Sequence, residues 1–498
     1  MVKVFGHFLA GPKLLLASCD AILMSVVLAA FVLTPSTDHV QSLQYLIKFC
    51  VAPSIVVLLA MIAVGLYNYP VLISLRLTFT RMVIALILVA PLLCLVLAFL
   101  EHAERGMPGR LPYWLNISLV LALTITVTRT AFLAGLDSFN KRRVLVIGNG
   151  TLAARILYRS RQILDCHSTA VVFANGCGDP LEVQLSGFAI ANMKSREALA
   201  SFVRHHRARE VVVAADDSRG SLMKQLLSWK LPGINIIDYQ SFWERETCQL
   251  DLDALEQDLP IFSDGFRVEI IDNAVKRSLD IIASVAMLTI SAPLLVATAI
   301  AIKLEGGPIL YRQDRVGQGG KKFSLLKFRS MCVDAEDRSE PQWARTNDLR
   351  VTRIGSVIRK VRIDELPQLL NVLRNEMSLI GPRPERPYFV ARLSREIPFY
   401  GERHVIKPGI TGWAQIRYSY GASLEDARQK LGYDLYYIKH RTLFLDLLIL
   451  IETIRIIFFP NDVQQRMMID ALADRCAAPM PTSADAQLSS RKTIGGEL

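Results

Sequence analysis

The sequence contains no Cys-x-x-Cys pair, although eight cysteines are spread over its 498 residues. Cys19, Cys50 and Cys94 lie in apolar stretches, where cysteine behaves as a small hydrophobic residue. Neither a disulfide framework nor a zinc site is therefore expected. The chain also lacks a helix-turn-helix, a zinc finger and an RNA-binding signature, so its net charge of +11 does not indicate nucleic acid as a partner.

Hydrophobic residues make up 51% of the chain, and lysine and arginine outnumber aspartate and glutamate by 57 to 46. A single hydrophobic core cannot bury so many apolar side chains, so we expect a membrane part together with two globular domains. The basic residues concentrate around the apolar segments and after residue 300. This distribution suits an anionic membrane surface and phosphorylated substrates.

Four apolar segments are long enough to cross about 30 Å of hydrocarbon as helices. They are residues 14–33, 45–66, 82–100 and 113–133, and they predict a four-helix transmembrane anchor over residues 1–140. The loop 34–44 has no lysine or arginine, whereas Lys141, Arg142 and Arg143 follow the last segment. The positive charge therefore places the N-terminus and residue 141 in the cytoplasm.

Residues 141–265 change to a pattern of strand, glycine turn and helix, which predicts a Rossmann-like cytoplasmic domain. Gly148-x-Gly150-x-x-Ala153 has a spacing that lets a phosphate approach a helix N-terminus. Further strand-like runs at 211–215 and 234–237 indicate a parallel sheet. The second strand ends in Asn175 instead of the acidic residue that would hold a ribose. A regulatory or structural role is favoured, with binding of an unidentified nucleotide as the alternative.

The apolar run 281–302 is long enough to be a fifth crossing of the membrane. Basic residues flank it on both sides, at Lys276, Arg277 and Lys303, which indicates that both ends face the cytoplasm. Near its middle, Pro293 removes a backbone donor and Ser291 can satisfy a freed carbonyl. We therefore predict that 272–304 is a re-entrant membrane helix broken at these two residues, with a simple crossing as the alternative.

Apolar spacing predicts a helix that begins near Glu365. Leucines recur at i, i+3, i+4 and i+7, namely Leu366, Leu369, Leu370 and Leu373, and would pack one face on a core. Asp364 would then stand at the N-cap, with Pro367 tolerated in the first turn. Taken alone, such an Asp-Glu pair is most often only a cap with an acidic neighbour.

The surroundings of the Asp-Glu pair indicate chemistry. Arg359 and Arg362 flank it, and such cations reduce the repulsion between a carboxylate and a phosphate. Adjacent carboxylates can also hold a divalent ion. Downstream, the run Gly381-Pro382-Arg383-Pro384 fixes the backbone around one arginine, whose planar fork suits phosphate oxygens. Together these residues predict attack of a carboxylate on phosphorus.

Five motifs follow one another between residues 272 and 465. They are Tyr311-Arg312-Gln313 with Arg315 and Gly317, Lys327-Phe328-Arg329-Ser330-Met331, Asp364-Glu365-Leu366-Pro367-Gln368-Leu369, Gly381-Pro382-Arg383-Pro384, and Lys407-Pro408-Gly409-Ile410-Thr411-Gly412-Trp413-Ala414-Gln415. In this order they resemble the bacterial sugar transferase family of monotopic phosphoglycosyl transferases. An anchor and a Rossmann-like domain in front of them resemble the long exopolysaccharide polyprenyl glycosylphosphotransferases.

The resemblance implies a role for each matching residue. Asp364 would be the nucleophile, Glu365 its partner in a catalytic dyad, and Mg²⁺ bound near Asp364 would neutralise the diphosphate. Phosphate oxygens would be held by Arg359 and Arg383, with Lys327 and Arg329 as weaker candidates. Ser291 and Pro293 match the helix-breaking position of the family.

The resemblance also implies a reaction and a location. A sugar-1-phosphate, expected from a UDP-hexose, would pass to undecaprenyl phosphate through a phosphosugar-aspartyl intermediate. The nucleoside monophosphate would leave, and exopolysaccharide assembly would begin. The expected location is the bacterial inner membrane, multi-pass, with the catalytic domain facing the cytoplasm. The expected partners are the nucleotide sugar, the polyprenyl phosphate and the lipid bilayer, and a homo-oligomer is left open.

Two other interpretations compete with this one. A membrane-anchored nucleotide-sugar dehydratase or epimerase would also combine four spans with a Rossmann fold, but the chain contains no Tyr-x-x-x-Lys pair. A non-catalytic scaffold would have lost the carboxylate dyad, which is intact.

The predicted fold is therefore a membrane α-helical anchor, an α/β Rossmann-like domain, a re-entrant helix and a mostly α-helical phosphoglycosyl transferase catalytic domain over 305–470. Within that last domain, charges interrupt the apolar stretch 443–459, which is expected to be an interfacial helix. The tail 471–498 is expected to be disordered.

Overall fold

A computed structural model describes part of the chain. The described residues are 2–4, 7–9, 11–32, 52–67, 78–85, 124–131, 142–147, 152–153, 155–156, 169–175, 190–192, 210–214, 234–257, 270–332, 350–418 and 423–458. The predicted disordered tail 471–498 lies outside these residues, as do long parts of the predicted anchor and of the Rossmann-like domain.

The N-terminal region begins with an antiparallel pair of short strands, β1 (Val2–Val4) and β2 (His7–Leu9), followed by helix α1 (Gly11–Val32). Helix α2 (Ala52–Ala63) packs against α1, and helical turns also occupy 78–85 and 124–131. Each of these stretches lies within or overlaps one of the four predicted spans. The number of spans and their orientation stay predictions.

A buried ion pair connects the first and fourth predicted spans. The guanidinium of Arg129 lies 3.0 Å from the carboxylate of Asp20, and both side chains are 1% exposed. Tyr67 donates a hydrogen bond of 2.8 Å to the same carboxylate. Because an unpaired charge in an apolar bundle is strongly unfavourable, this pairing fixes how the two segments pack.

A five-stranded parallel sheet follows. Its strands are β3 (Arg142–Ile147), β4 (Thr169–Asn175), β5 (Ile190–Asn192), β6 (Glu210–Val213) and β7 (Asn235–Asp238). They lie in the order β5-β4-β3-β6-β7, so the predicted parallel sheet is confirmed. Numbered along the chain, this order is 3-2-1-4-5, which matches five of the six strands of a doubly wound nucleotide-binding fold. Most of the intervening segments lie outside the described residues, and the Rossmann-like assignment stays a prediction.

A short connector joins the sheet to the C-terminal part of the chain. It comprises helices α3 (Tyr239–Thr247) and α4 (Leu252–Gln257). The carbonyl of Cys248 accepts a hydrogen bond of 2.9 Å from the indole of Trp413, and the amide of Leu250 donates to the carbonyl of Gly432 at 3.1 Å. The part of the connector from Cys248 onward therefore contributes to the packed core of the C-terminal domain, whereas Phe242 and Trp243 of α3 pack in the core of the sheet.

Helix α5 (Ile270–Leu304) runs through Pro293, and its stretch Asn273–Leu304 is long and apolar enough to cross a membrane. Leu14–Val26 and Ser54–Ala63 form shorter apolar helices in the described part of the chain. The hydroxyl of Ser291 donates to the carbonyl of Met287 at 2.6 Å. Pro293 would free the carbonyl four residues before it, at position 289, so this hydrogen bond does not compensate for the proline.

Both ends of α5 are bound to the same C-terminal domain. Near its start, Arg277 donates to the carbonyls of Val372 at 2.6 Å and Leu373 at 3.0 Å. Near its end, Arg329 donates to the carbonyls of Ile302 and Gly306. Between these anchor points the helix is largely uncovered, with Ile290 80% exposed.

The C-terminal domain is mainly helical, as predicted, around two small sheets. Strands β8 (Leu310–Val316) and β9 (Lys322–Phe328) form an antiparallel hairpin, and β10 (Ser378–Ile380) pairs in parallel with β11 (Gly409–Thr411). The helices are α6 (Arg353–Lys360), α7 (Gln368–Leu373), α8 (Pro387–Glu396), α9 (Trp413–Arg417), α10 (Leu424–Lys439) and α11 (Leu443–Phe458). Short 3₁₀ helices occupy Gln318–Gly320, Ile363–Glu365 and Tyr400–His404.

Helix α11 has two different faces. Leu445 and Ile449 are fully buried against the domain core, whereas an apolar stripe remains exposed at Leu443, Leu447, Leu450, Ile454 and Ile457. The ammonium of Lys276 at the start of α5 lies 2.6 Å from the carboxylate of Asp446 on α11. The exposed stripe is the pattern expected of a helix that lies against lipid.

Candidate active site

The two carboxylates of the dyad lie on the 3₁₀ helix Ile363–Glu365, and each residue is 9% exposed. Arg362, just before them, adopts a left-handed conformation with φ 59°, which turns the chain out of α6. Helix α7 starts only after Pro367 and has no side-chain cap. The prediction that Asp364 caps a helix beginning near Glu365 is therefore wrong, because a tight 3₁₀ turn and a proline precede the helix.

Glu365 is surrounded by cations. Its Oε1 accepts a hydrogen bond of 3.0 Å from Arg383, and it lies 3.6 Å from the ammonium of Lys327 and 3.7 Å from the guanidinium of Arg362. Burial alone would raise the pKa of Glu365, but these three cations outweigh burial and bring the pKa to about 2. The carboxylate of Glu365 is therefore ionised at neutral pH and paired with these three cations.

Asp364 differs from Glu365 in its hydrogen bonding and in the direction of its pKa shift. Its Oδ1 is buried without a hydrogen-bond partner among the described residues. Burial and the neighbouring Glu365 carboxylate raise the pKa of Asp364, although Lys327 and Arg362 act in the other direction. An ionised carboxylate with an unpartnered oxygen is a more reactive nucleophile than one that is tied into ion pairs.

Lys327 comes from strand β9, and its ammonium lies 3.6 Å from the carboxylate of Glu365. Burial lowers the pKa of its ammonium to about 8, with Arg383 and Arg315 acting in the same direction and Glu365 opposing them. Lys327 thus belongs to the dyad cluster and is a stronger candidate for a phosphate ligand than its motif alone indicated.

Arg383 joins the dyad from the loop after β10. One guanidinium nitrogen donates to Glu365, and the other donates to the side-chain carbonyl of Gln415 at 2.9 Å. Gln415 lies on α9, 32 residues further along the chain. It stands in one of the sequence motifs, but nothing in its local pattern predicts this contact.

Three glycines let two motif loops approach backbone to backbone. A Cβ on Gly381 would lie 2.4 Å from the carbonyl oxygen of Lys407, and one on Gly409 would lie 2.1 Å from the amide nitrogen of Gly381. A Cβ on Gly412 would lie 2.1 Å from the carbonyl oxygen of Gly381. No side chain fits at these positions, so the glycines place Arg383 next to α9 and the dyad.

The other predicted site residues lie in different parts of the structure. Arg359 ends α6, half-buried, where its charge acts on Asp364. Arg329 is 6% exposed and donates to the carbonyls of Ile302 and Gly306 at the end of α5, and its role as a phosphate ligand stays a prediction. Ser291 and Pro293 lie within α5, which is a continuous helix from Ile270 to Leu304, so the break of the helix at these residues stays a prediction.

The carboxylate oxygens at the dyad fit a hard divalent cation in an arrangement with a single protein ligand. Within the described residues, no three His, Cys, Asp or Glu side chains gather into a metal cluster. Glu365 pairs with three cations, so a cation at this site would be held by the Asp364 oxygen that has no hydrogen-bond partner among the described residues. Mg²⁺ often takes one or two carboxylates together with substrate phosphates and water, and this arrangement suits such a site.

Comparison with known proteins agrees with this site. The family described as bacterial sugar transferase matches residues 271–460, which include the dyad and the whole cluster around it. An exopolysaccharide production protein, PSS, of Rhizobium leguminosarum bv. phaseoli is 40% identical over 189 residues, which are 37% of this chain and 94% of that protein. The chain belongs to the bacterial sugar transferase family.

Two further relatives carry more specific names. UDP-N-acetylgalactosamine-undecaprenyl-phosphate N-acetylgalactosaminephosphotransferase of Aeromonas hydrophila is 53% identical over 184 residues, which are 37% of this chain and 43% of that protein. UDP-glucose:undecaprenyl-phosphate glucose-1-phosphate transferase of Caulobacter vibrioides is 45% identical over 182 residues, which are 36% of this chain and 68% of that protein. The match thus spans less than half of the Aeromonas protein.

Proposed function

We propose that the protein transfers a sugar-1-phosphate from a UDP-sugar to undecaprenyl phosphate, with Asp364 as the nucleophile. The names of the Aeromonas and Caulobacter relatives support this substrate class, since one specifies UDP-N-acetylgalactosamine and the other UDP-glucose. The name of the Rhizobium relative supports a place at the start of exopolysaccharide assembly. The dehydratase or epimerase alternative has no comparable support.

The observation that carries the proposal is the unequal state of the two adjacent carboxylates. Glu365 is held by three cations, whereas one buried oxygen of Asp364 has no hydrogen-bond partner in the part of the chain that the structure describes. The cations are close enough to bind a diphosphate, and the free oxygen is next to them. This is the arrangement that nucleophilic attack on a bound phosphate needs.

In the first step, an oxygen of the Asp364 carboxylate attacks the β-phosphorus of the nucleotide sugar. A new bond forms between that oxygen and phosphorus, and the bond between phosphorus and the bridging oxygen breaks. The bridging oxygen leaves with the electron pair as part of the nucleoside monophosphate. Arg383 and Lys327 stabilise the charge that develops on the phosphate oxygens.

In the second step, a phosphate oxygen of undecaprenyl phosphate attacks the phosphorus of the phosphosugar-aspartyl intermediate. The acyl phosphate bond breaks, and the Asp364 carboxylate is regenerated. A phosphate monoester is largely ionised near neutral pH, so this attack needs little help from a general base. Glu365, with a pKa of about 2, acts by holding Arg383 and Lys327 in place and not by donating a proton.

We include Mg²⁺ in the proposal as a cofactor. When bound, it would neutralise charge on the diphosphate. Asp364 would supply the protein ligand for it, and Arg359 would add positive charge from the end of α6.

We also propose that α5 enters and leaves the inner membrane on the cytoplasmic face. Hydrogen bonds from Arg277 and Arg329 attach its two ends to the one domain that carries the dyad. A simple crossing would place these ends on opposite sides of the bilayer, about 30 Å of hydrocarbon apart. The exposed stripe of α11 would lie on the same membrane surface.

The direct test offers the purified full-length protein a panel of nucleotide sugars with undecaprenyl phosphate and Mg²⁺, and identifies the nucleotide released. We expect a nucleoside monophosphate, UMP, and a lipid-linked diphosphate sugar. Omission of the lipid should leave a protein whose intact mass has increased by one phosphosugar. Release of a nucleoside diphosphate, or a change in the sugar while it stays on the nucleotide, would contradict the proposal.

A further inference from the structure

The loop that carries Arg383 is held at four consecutive backbone carbonyls. The carbonyls of Pro382, Arg383, Pro384 and Glu385 accept hydrogen bonds from the amide of Gly409 at 2.9 Å, the side chain of Arg403 at 3.0 Å, the side chain of Arg315 at 3.2 Å and the amide of Val316 at 3.0 Å. The donors come from β8, β11 and the 3₁₀ helix Tyr400–His404. Two of the four donors are charged arginine side chains, although a neutral donor could form the same hydrogen bond to a carbonyl.

Arg403 is the more deeply buried of the two arginines, at 7% exposure. One nitrogen, Nη2, donates to the carbonyl of Arg383 and lies 2.9 Å from the carboxylate of Asp434. The other, Nη1, donates to the hydroxyl of Tyr400 at 2.6 Å. Asp434 is 2% exposed, so it balances the guanidinium charge inside the domain.

We propose that Arg403, held by Asp434, is a positioning residue that aims the guanidinium of Arg383 at the diphosphate of the nucleotide sugar. This inference rests on the proposed function, because it takes Arg383 as the phosphate ligand. Arg403 touches neither carboxylate of the dyad. It acts on the backbone of the residue whose side chain contacts Glu365, and a planar fork with three fixed contacts sets that backbone more rigidly than one flexible donor.

The variant Arg403→Lys distinguishes a role of this residue in positioning Arg383 from a role in folding. Arg403→Lys keeps a positive charge beside Asp434, so no buried carboxylate is left unpaired. It cannot keep all three contacts, because an ammonium on a flexible stem lacks the planar fork. The matched control is Arg392→Lys, at an exposed arginine on α8 that pairs only with Glu396 among the described residues.

The experiment is a double-mutant cycle on the full-length protein in detergent with Mg²⁺. Binding of UDP, and in parallel of inorganic pyrophosphate, is measured by calorimetry for the wild type, Arg403→Lys, Arg383→Gln, the double variant and the control Arg392→Lys, and each melting temperature is recorded. We expect Arg403→Lys to weaken binding of both probes roughly tenfold. The double variant should bind no more weakly than Arg383→Gln alone, since Arg403 acts through Arg383.

Three outcomes would overturn the proposal. Unchanged affinity in Arg403→Lys with a lower melting temperature assigns the residue a structural role only. Additive losses in the double variant mean that Arg403 acts without Arg383. Failure of the wild type to bind either probe removes the phosphate ligand on which the proposal depends.

The cycle needs no turnover, so it separates this proposal from the proposed function. If no nucleotide sugar yields a nucleoside monophosphate, the function is wrong while the binding data still decide the role of Arg403. If the wild type turns over and the cycle is additive, only the positioning role is lost.

Discussion

Lys327 and Glu365 lie 3.6 Å apart, measured from Nζ to Oε1, although one belongs to strand β9 and the other to a 3₁₀ helix. Burial lowers the pKa of Lys327 to about 8, so this cation loses its charge as the pH rises through that value. We expect kcat/KM to fall on the alkaline side with a midpoint near pH 8, because the diphosphate loses a counter-charge.

Lys327→Arg tests this assignment, because an arginine stays charged throughout that range. The alkaline fall in kcat/KM should move to higher pH in this variant, even if its maximal rate is lower. The measurement is the rate of nucleoside monophosphate release from pH 6.5 to 10. A fall that stays near pH 8 in the variant would assign the titration to another group.

Asp364→Asn should reduce turnover to background and abolish the covalent phosphosugar adduct, since an amide oxygen is a poor nucleophile toward phosphorus. Asp314→Asn, on an exposed position of β8, is the control and should retain both. Intact-protein mass spectrometry after incubation with the donor alone detects the adduct. Adduct formation in Asp364→Asn would remove the nucleophile assignment.

Glu365→Gln should slow turnover and also make stability less dependent on acid pH. The pKa of Glu365 lies near 2, below the ordinary value of 4.5, so its ionised form stabilises the fold above about pH 4.5. This contribution, on the order of 3 kcal/mol at neutral pH, is lost as the pH falls toward 2. Melting temperatures of wild type and variant should therefore converge below pH 4.5, and a constant gap would contradict the pairing.

Gly412→Ala should destabilise the domain by roughly 2 to 3 kcal/mol and reduce activity, because its Cβ would lie 2.1 Å from the carbonyl oxygen of Gly381. Gly401→Ala is the matched control, since a Cβ there meets nothing within 4 Å. Thermal melting and turnover of the two variants are compared directly. Equal melting temperatures would mean that the two motif loops are not in contact.

Cysteines at Val275, near the start of α5, and at Lys321, beyond its end, should be shielded from a membrane-impermeant thiol reagent in intact cells and labelled after lysis. Both positions are exposed, and the eight native cysteines are first replaced. Asp38→Cys, in the predicted outer loop, is the positive control. Labelling of position 321 alone in intact cells would establish a simple crossing.

The parallel sheet could be predicted because its buried strands contain continuous apolar runs, such as the three valines that follow Glu210 in β6. The hairpin Leu310–Val316 with Lys322–Phe328 was not predicted. Its first strand reads Leu-Tyr-Arg-Gln-Asp-Arg-Val and is mostly exposed, so it lacks an apolar signal. The predicted leucine face was right only in part, since Leu369 is buried whereas Leu370 is 37% exposed.

Local sequence patterns identified several residues of the candidate site but did not predict the contacts between them. The Asp-Glu pair and Arg383 could be named from local patterns, whereas their contacts with Lys327 and Gln415 join residues far apart in the chain. Arg403 lies outside every motif and had no local signal. Arg329 shares a motif with Lys327, and two residues at this spacing would lie on one face of a continuous strand. Strand β9 ends at Phe328, however, and the side chain of Arg329 donates to the carbonyls at the end of α5.

The backbone carbonyls from 382 to 385 each already accept a hydrogen bond, so this loop has little capacity left to accept hydrogen bonds from the hydroxyl groups of a sugar. Recognition of the diphosphate and discrimination between sugars would then belong to separate parts of the molecule. Exchange of donor preference between relatives would leave this segment untouched and alter side chains elsewhere.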